Sequence, residues 1–353
     1  MADHSYSEVQ KILIVQTAFI GDVILTIPLA RAIAKRIPAA EIHFLTIPSS
    51  RELIETLPYI QRLWIFDKRG DHSGIFQLVR YARKIRAEKF DLALIPHRSI
   101  RTALLIFLSG ISKRIGFNRS SGSFLFTKQV LYPSELHEIE RNLSLLKAVD
   151  LFPEFIPLPE IRSTDSEHHE VSAWLQKNNL GPDKSFICMA PGSIWPTKRW
   201  PTEHWGELIH KFKEKTIPTV LIGSQQDQKL APDIMKYSGP DTINAMGQFS
   251  IRKSAEIIRR ASLLISNDSA PTHMGVAVET PVLTLFGSTV PMFGFYPYGE
   301  KNRIAEVTDL DCRPCTDHGK LKCPLGHFKC LQDLNPNDVF QIAIEMINEN
   351  IES

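Results

Sequence analysis

Three short segments of this 353-residue chain carry side chains suited to acid–base or anion chemistry. The first, Gln16-Thr17-Ala18-Phe19-Ile20-Gly21-Asp22, follows an apolar run and sets one carboxylate beside one glycine. An aspartate there serves either as a helix N-cap, contributing about 1 kcal/mol, or as a general base, worth ~10²–10⁴ in rate where it reaches a reacting hydroxyl. The second runs from Pro191 through Gly192, Ser193, Trp195 and Lys198 to Pro201. Small residues let the backbone approach a phosphate while Lys198 supplies a point charge; the same text also fits a surface turn with Trp195 and Trp200 packed on a sheet. In the third, Ser266-Asn267-Asp268-Ser269-Ala270-Pro271-Thr272-His273, Pro271 marks a helix start, because proline prefers the first helical position. Open N–H groups and the positive dipole end of such a helix favour a bound anion by ~0.3–2 kcal/mol. His273 lies in that first turn; the plainer alternative makes Asp268 and Ser269 caps and His273 a core residue. Two loops of this type in one half of the chain point to a diphosphate ligand. Asp227, after Gly223-Ser224, suits either ribose hydroxyls or a surface helix cap. No G-x-G-x-x-G accompanies the first segment, which disfavours a nicotinamide dehydrogenase.

The elements that must position these residues alternate regularly. Lys11–Gln16 is an apolar, β-branched run suiting a strand buried on both faces of a parallel sheet. A helical pattern through Val23, Ile24, Ile27, Ala30 and Ala34 follows it. Further strands are expected at 42–46, 63–66 and 92–95, with helices at 51–57 and 77–86 between them. Three prolines within Leu151–Pro159 break the series and mark a linker. A second series follows: strands at 186–190, 219–222, 263–266 and 282–286; helices at 203–212, 229–235, 251–260 and 272–278; a closing helix over 338–348. This predicts an α/β chain of two Rossmann-like, doubly wound parallel-sheet domains, residues 1–155 and 165–335, facing across a cleft, with a C-terminal helix at 336–353. Ligands of such sheets bind beyond the carboxyl ends of strands, so the loops after Gln16, Ala190, Ile222, Ser266 and Phe286 are the informative ones.

Charge separates the halves. Residues 1–150 hold 21 Lys and Arg against 14 Asp and Glu, the remainder 20 against 25, and between Arg62 and Lys128 the ratio is 14 to 4. Such an excess implies a polyanionic partner (nucleic acid, anionic membrane or phosphorylated substrate) or a solvated basic face. The longest apolar run, Ala103–Leu108, is too short to span a bilayer, and Met1-Ala2-Asp3-His4 does not open a signal peptide, so a cytoplasmic location is expected. Four of the five cysteines, Cys312, Cys315, Cys323 and Cys330, form C-x2-C-x7-C-x6-C, compatible with structural zinc or with reduced thiols. Cys188 sits mid-strand.

Taken in order, K-I-L-I-V-Q-T-A-F-I-G-D-V-I-L-T-I-P at 11–28, A-P-G-S-I-W-P-T-K-R-W-P at 190–201, N-D-S-A-P-T-H-M-G-V-A at 267–277 and the Cys-rich 312–330 tail resemble glycosyltransferase family 9, the lipopolysaccharide heptosyltransferases of the GT-B fold, over nearly the whole chain. The resemblance implies inverting transfer of heptose from ADP-heptose to the inner core on lipid A, with no required metal or other cofactor, by a protein peripheral to the inner face of the cytoplasmic membrane. It implies Asp22 as base, Lys198 on the diphosphate, and Asp268 with His273 at the donor. Gly192, Ser193, Asp227, Ser269 and Thr272 complete the expected donor site; His97, Arg98 and Arg101 are expected to meet acceptor phosphates. Ser269-Ala270 and Gly192-Ser193 depart from the first-transferase pattern and favour the second-transferase type. Rival classes are a nucleotide-sugar epimerase, which needs no basic first half, and a nucleic-acid-binding protein, for which no recognition-helix or aromatic stacking motif is present; no nucleic-acid partner is expected.

Overall fold

A computed structural model describes residues 10–182 and 184–352; Met1-Ala2-Asp3-His4 and Ser353 lie outside the described residues. The described residues form two compact units that divide between Glu160 and Ile161. The proline-rich Leu151–Pro159 stretch, without helix or strand, immediately precedes that boundary.

The first unit contains β1 (Lys11–Val15), α1 (Ile20–Arg36), β2 (Glu41–Thr46), α2 (Arg51–Ile54), β3 (Arg62–Ile65), α3 (Ile75–Ala87), β4 (Leu92–Ile95), α4 (Ile100–Leu108), β5 (Lys113–Phe117), β6 (Lys128–Val130) and α5 (Glu138–Ser144). All strand pairings are parallel, in the order β3-β2-β1-β4-β5-β6. On β1, Ile12 faces Ile42 on one side and Leu92 on the other, and all three are buried. A strand covered on both faces requires this unbroken apolar text. The core joins Leu13, Val15, Leu45, Phe66, Leu78, Ile85 and Ile95. Pro28 stays inside α1, costing one intrahelical hydrogen bond.

The second unit repeats the plan: α6 (Asp165–Lys177), β7 (Ile187–Ala190), α7 (Thr202–Glu214), β8 (Thr219–Leu221), α8 (Ala231–Ser238), β9 (Ile243–Asn244), α9 (Ile251–Arg259), β10 (Leu263–Asn267), α10 (Ala270–Ala277), β11 (Val282–Phe286), β12 (Arg303–Glu306), α11 (Lys329–Gln332) and α12 (Pro336–Glu352). Its sheet runs β12-β11-β10-β7-β8-β9, also parallel throughout. Trp200 and Trp205 enter the core with Met189, Ile265 and Leu285, and Phe340 of α12 packs into the same cluster. The C-terminal helix therefore belongs to the second unit.

Both sheets have the order in which the chain first winds to one side and then returns to start on the other. The reversal lies between β1 and β4 in the first unit and between β7 and β10 in the second. Loops leaving adjacent strands in opposite directions open a crevice at their carboxyl ends.

Candidate active site

In the second unit the loops after β7 and β10 meet at the reversal point. Lys198 Nζ lies 2.6 Å from Asp268 Oδ2, with the two side chains only 13% and 6% exposed. Thr289, past the end of β11, donates its hydroxyl to the same Oδ2 at 2.6 Å. The ammonium is thus held in one position by a carboxylate that is itself held, and an ammonium carries three donors. Ser269 is the N-cap residue of α10, but its hydroxyl is engaged with the Gly192 and Asn267 carbonyls, so no side chain caps the first turn. Asn267 braces the loops, donating to the Pro191 carbonyl at 2.8 Å and accepting from Trp200 N–H at 3.0 Å.

His273 is 5% exposed, and its Nδ1 has no hydrogen-bond partner among the described residues. Burial pushes its pKa down to about 4; Asp268 opposes that shift and Lys198 adds to it. The imidazole is therefore neutral at neutral pH, with one buried polar atom unmatched, a situation that costs about 1–3 kcal/mol unless something binds there.

Gly192 is fixed by contact: a Cβ there would fall 2.4 Å from the Asp227 carboxylate. Asp227 accepts from the Ser224 N–H and hydroxyl at 2.9 and 2.6 Å, closing the turn after β8. Ser193 is consumed by its own turn, its carbonyl accepting from Arg199 Nε at 2.7 Å and its Oγ from Trp195 N–H at 3.3 Å. Thr272 departs from its expected place in the ligand site. It is fully buried, and its hydroxyl meets Ser266, Asn267 and Thr284, so it fastens α10 to the sheet from behind.

In the first unit the reversal point collects Asp22, His97, Arg98 and Arg101. Asp22 is not the N-cap residue: Phe19 holds that position and Asp22 lies in the first turn, its Oδ2 accepting from Phe19 N–H at 3.2 Å. Lys68 comes from the loop after β3 and donates to the Thr17 carbonyl at 2.6 Å. Burial lowers its pKa, Arg69 and Arg101 lower it further, and Asp22 acts in the opposite direction. His97 does not behave as a phosphate-binding cation. Its Nδ1 is shared by the Thr17 and Thr102 hydroxyls, both at 2.9 Å, and burial, reinforced by Lys68 and Arg98, pushes its pKa down to about 3. Arg101 is committed to the loop before α3, donating to the carbonyls of His72 and Ser73. Arg98 stacks over the Tyr132 ring at 4.9 Å. Behind them, buried Glu138 takes hydrogen bonds from Arg141 Nη1 at 3.2 Å and Tyr132 at 3.4 Å, and burial, reinforced by Asp22, raises its pKa to about 7.

Sequence reading did not single out Lys68, Thr289, Asn267 or Glu138. Lys68 is one cation in a basic run. Thr289 follows Phe286, a strand end whose loop was marked by position, and only its carboxylate contact distinguishes it. Among the described residues no group of three or more His, Cys, Asp or Glu side chains is placed to hold a metal ion, and the five cysteines are free thiols. Cys323 is distinct: burial works against its thiolate, yet N–H groups of Phe328, Leu325, Gly326 and His327 bring its pKa below the ordinary thiol value. Burial pushes Cys330 up to about 11.

The family model for glycosyltransferase family 9 (heptosyltransferase) matches residues 78–325, more than half of the chain. Lipopolysaccharide heptosyltransferase 2 of Salmonella typhimurium is 22% identical over 96% of this chain and 99% of its own length. The crystal structure of a family 9 glycosyltransferase from Veillonella parvula superposes with a TM-score of 0.87 at 23% identity, covering 97% of this chain and 98% of that one. Heptosyltransferase II of E. coli gives 0.79 at 19% identity, covering 97% and 99%. The two parallel six-stranded sheets are those of the GT-B fold, and the chain is a glycosyltransferase belonging to family 9, the heptosyltransferases.

Proposed function

We propose that the protein transfers heptose, with inversion, from ADP-heptose to the inner core of a lipopolysaccharide acceptor carried on lipid A, as the second heptosyltransferase of that assembly. The observation that carries this reading is the buried Lys198–Asp268 pair set against the uncapped first turn of α10, beside an unmatched His273 nitrogen. The solved E. coli relative is named for ADP-heptose, the donor this site suits.

Breaking the bond between a sugar and a diphosphate builds positive charge on the ring and negative charge on the leaving oxygen. Fixed positive groups aimed at that oxygen lower the barrier. Lys198 and the amides of α10 do this from rigid positions, so no metal ion is required of the reaction. Asp227 takes the ribose hydroxyls, and neutral His273 offers Nδ1 to the donor without adding charge. In the first unit Asp22 accepts the proton of the attacking acceptor hydroxyl, and one displacement inverts the anomeric centre. Lys68, from the loop after β3, is close enough to Asp22 for their charges to attract. The acceptor is placed at the inner face of the cytoplasmic membrane, where the protein works peripherally; among the described residues no helix is long and apolar enough to cross a membrane.

Label transfer from ADP-heptose to lipid A-linked cores bearing either no heptose or one heptose tests the reading. Transfer to the one-heptose core supports it. Transfer only to the heptose-free core assigns the first-transferase role instead, and transfer to neither removes the proposal.

A further inference from the structure

The carboxyl-end rim of the first sheet carries apolar side chains that the core does not use. Phe76, at the start of α3, is 86% exposed, and Phe124, in the loop after β5, is 72% exposed; Ile75 and Ile100 are exposed beside them. These belong to one neighbourhood. Arg101 of α4 binds the Ser73 carbonyl just before α3, the Ser121 N–H donates to the Arg98 carbonyl just before α4, and Gly122 lies against Ile100.

Cations surround this patch. Helix α3 buries Leu78, Tyr81, Ala82 and Ile85 against the core and turns Phe76, Arg80 and Arg83 outward on one stripe, at i, i+4 and i+7. It has no acidic residue. Of the acidic residues in the preceding loop, Asp67 is turned into that loop, accepting from the Arg69 and Gly70 N–H groups, while Asp71 stays exposed.

A soluble polyanion would engage the arginines and gain nothing from exposed phenylalanines. The surface of an anionic bilayer uses both, with rings entering below the headgroups while guanidinium groups meet the phosphates. We propose that this rim docks on an anionic bilayer, with Phe76 and Phe124 entering the interface and Arg80 and Arg83 contacting lipid phosphates. The proposal rests on the reading that the acceptor is carried on a lipid, and it names the face by which the acceptor-side unit reaches it.

The test is co-sedimentation of the full chain with vesicles of equal parts phosphatidylglycerol and phosphatidylcholine, compared with phosphatidylcholine alone. The wild type should bind the anionic vesicles and only weakly the neutral ones. Phe76→Ser with Phe124→Ser should lower partitioning about tenfold at any salt concentration. Arg80→Gln with Arg83→Gln should lower it about tenfold at low salt and flatten the salt dependence. These positions are at the surface, and unchanged thermal melts of the variants would verify folding. Binding by both double variants equal to wild type, equal binding to neutral vesicles, or a change only in self-association would overturn the proposal. With transfer assayed in parallel, the Phe variants should slow reaction on a lipid-anchored acceptor and not on its deacylated, water-soluble form. Absence of any transfer by wild type would count against the functional reading alone, because the vesicle arm judges docking independently.

Discussion

Replacing Lys198 by Met, Asp268 by Asn, and both together separates the structural from the ligand-binding role of the buried pair. Each single change leaves a group in a site with little water: Asp268 keeps only the Thr289 hydroxyl in the first case, and Lys198 loses its carboxylate in the second. Breaking a buried pair from one side costs about 3–5 kcal/mol. For a domain of this size that lowers the melting temperature by roughly 6–20 °C. The double variant removes both charges and should recover most of that loss. Donor affinity should follow a different order. At about 4 Å and an effective dielectric constant near 20, an ammonium and a phosphate attract by ~4 kcal/mol. Allowing about half of that for lost hydration, Lys198→Met should weaken ADP binding ~30-fold. Asp268→Asn should bind ADP more tightly than wild type, and ADP should therefore stabilise it more, because the diphosphate supplies the missing countercharge. The double variant should be stable and still bind ADP ~30-fold more weakly. Calorimetric titration with ADP alongside thermal melts reads both quantities. A stable double variant with wild-type ADP affinity would show that the pair serves only the fold.

Asp22→Asn should reduce turnover by ~10²–10⁴ with ADP affinity unchanged, measured by single-turnover transfer and calorimetry; loss of turnover below threefold would remove the base assignment. Acid should weaken the second unit through His273. Its folded pKa, about 4, lies below the unfolded value near 6.5, so the unfolded chain binds more protons between those limits and stability falls as pH drops through that window, by roughly 3 kcal/mol in all. His273→Gln should flatten that part of a melting-temperature profile. Glu138, in the first unit, has the opposite sign: with a folded pKa raised to about 7, it weakens the fold as pH rises from about 4.5 to 7, and Glu138→Gln should remove that loss. Timed alkylation at mildly alkaline pH, read by peptide mass spectrometry, should modify Cys323 before Cys330.

The strands that cross each sheet's centre were legible because burial on both faces demands unbroken apolar text. Leu92–Ile95 and Val282–Phe286 match their expected limits, and Lys11–Val15 differs from its own by one residue. The strands Lys113–Phe117 and Lys128–Val130 were not legible: the first opens on Lys113 and Arg114, the second is a short, mostly exposed edge strand, and both read as part of the basic run. Helix Asp165–Lys177 was missed because its first turn is charged; its usable signal was Thr164 followed three residues later by Glu167, which close a reciprocal cap at 3.3 and 2.8 Å. The site followed the same logic. Lys198, Asp268 and His273 stood out because charge at a strand end is unusual text, and the structure brings them together. His97 stood out for the same reason and Thr272 for its place in the first turn of α10, but type and position do not reveal burial: one lost its charge and the other turned inward. Family membership decides for a transferase over an epimerase on this doubly wound scaffold, a choice the strand order alone could not make.

The most direct measurement is transfer of labelled heptose from ADP-heptose to a lipid A-linked core bearing one heptose, run with the wild-type chain, Asp22→Asn and Lys198→Met, with the anomeric configuration of the product determined by NMR. The expected result is a single added heptose of inverted configuration from the wild type, almost none from either variant, and retained ADP binding in Asp22→Asn only. A product of retained configuration, or full transfer by Asp22→Asn, would contradict it.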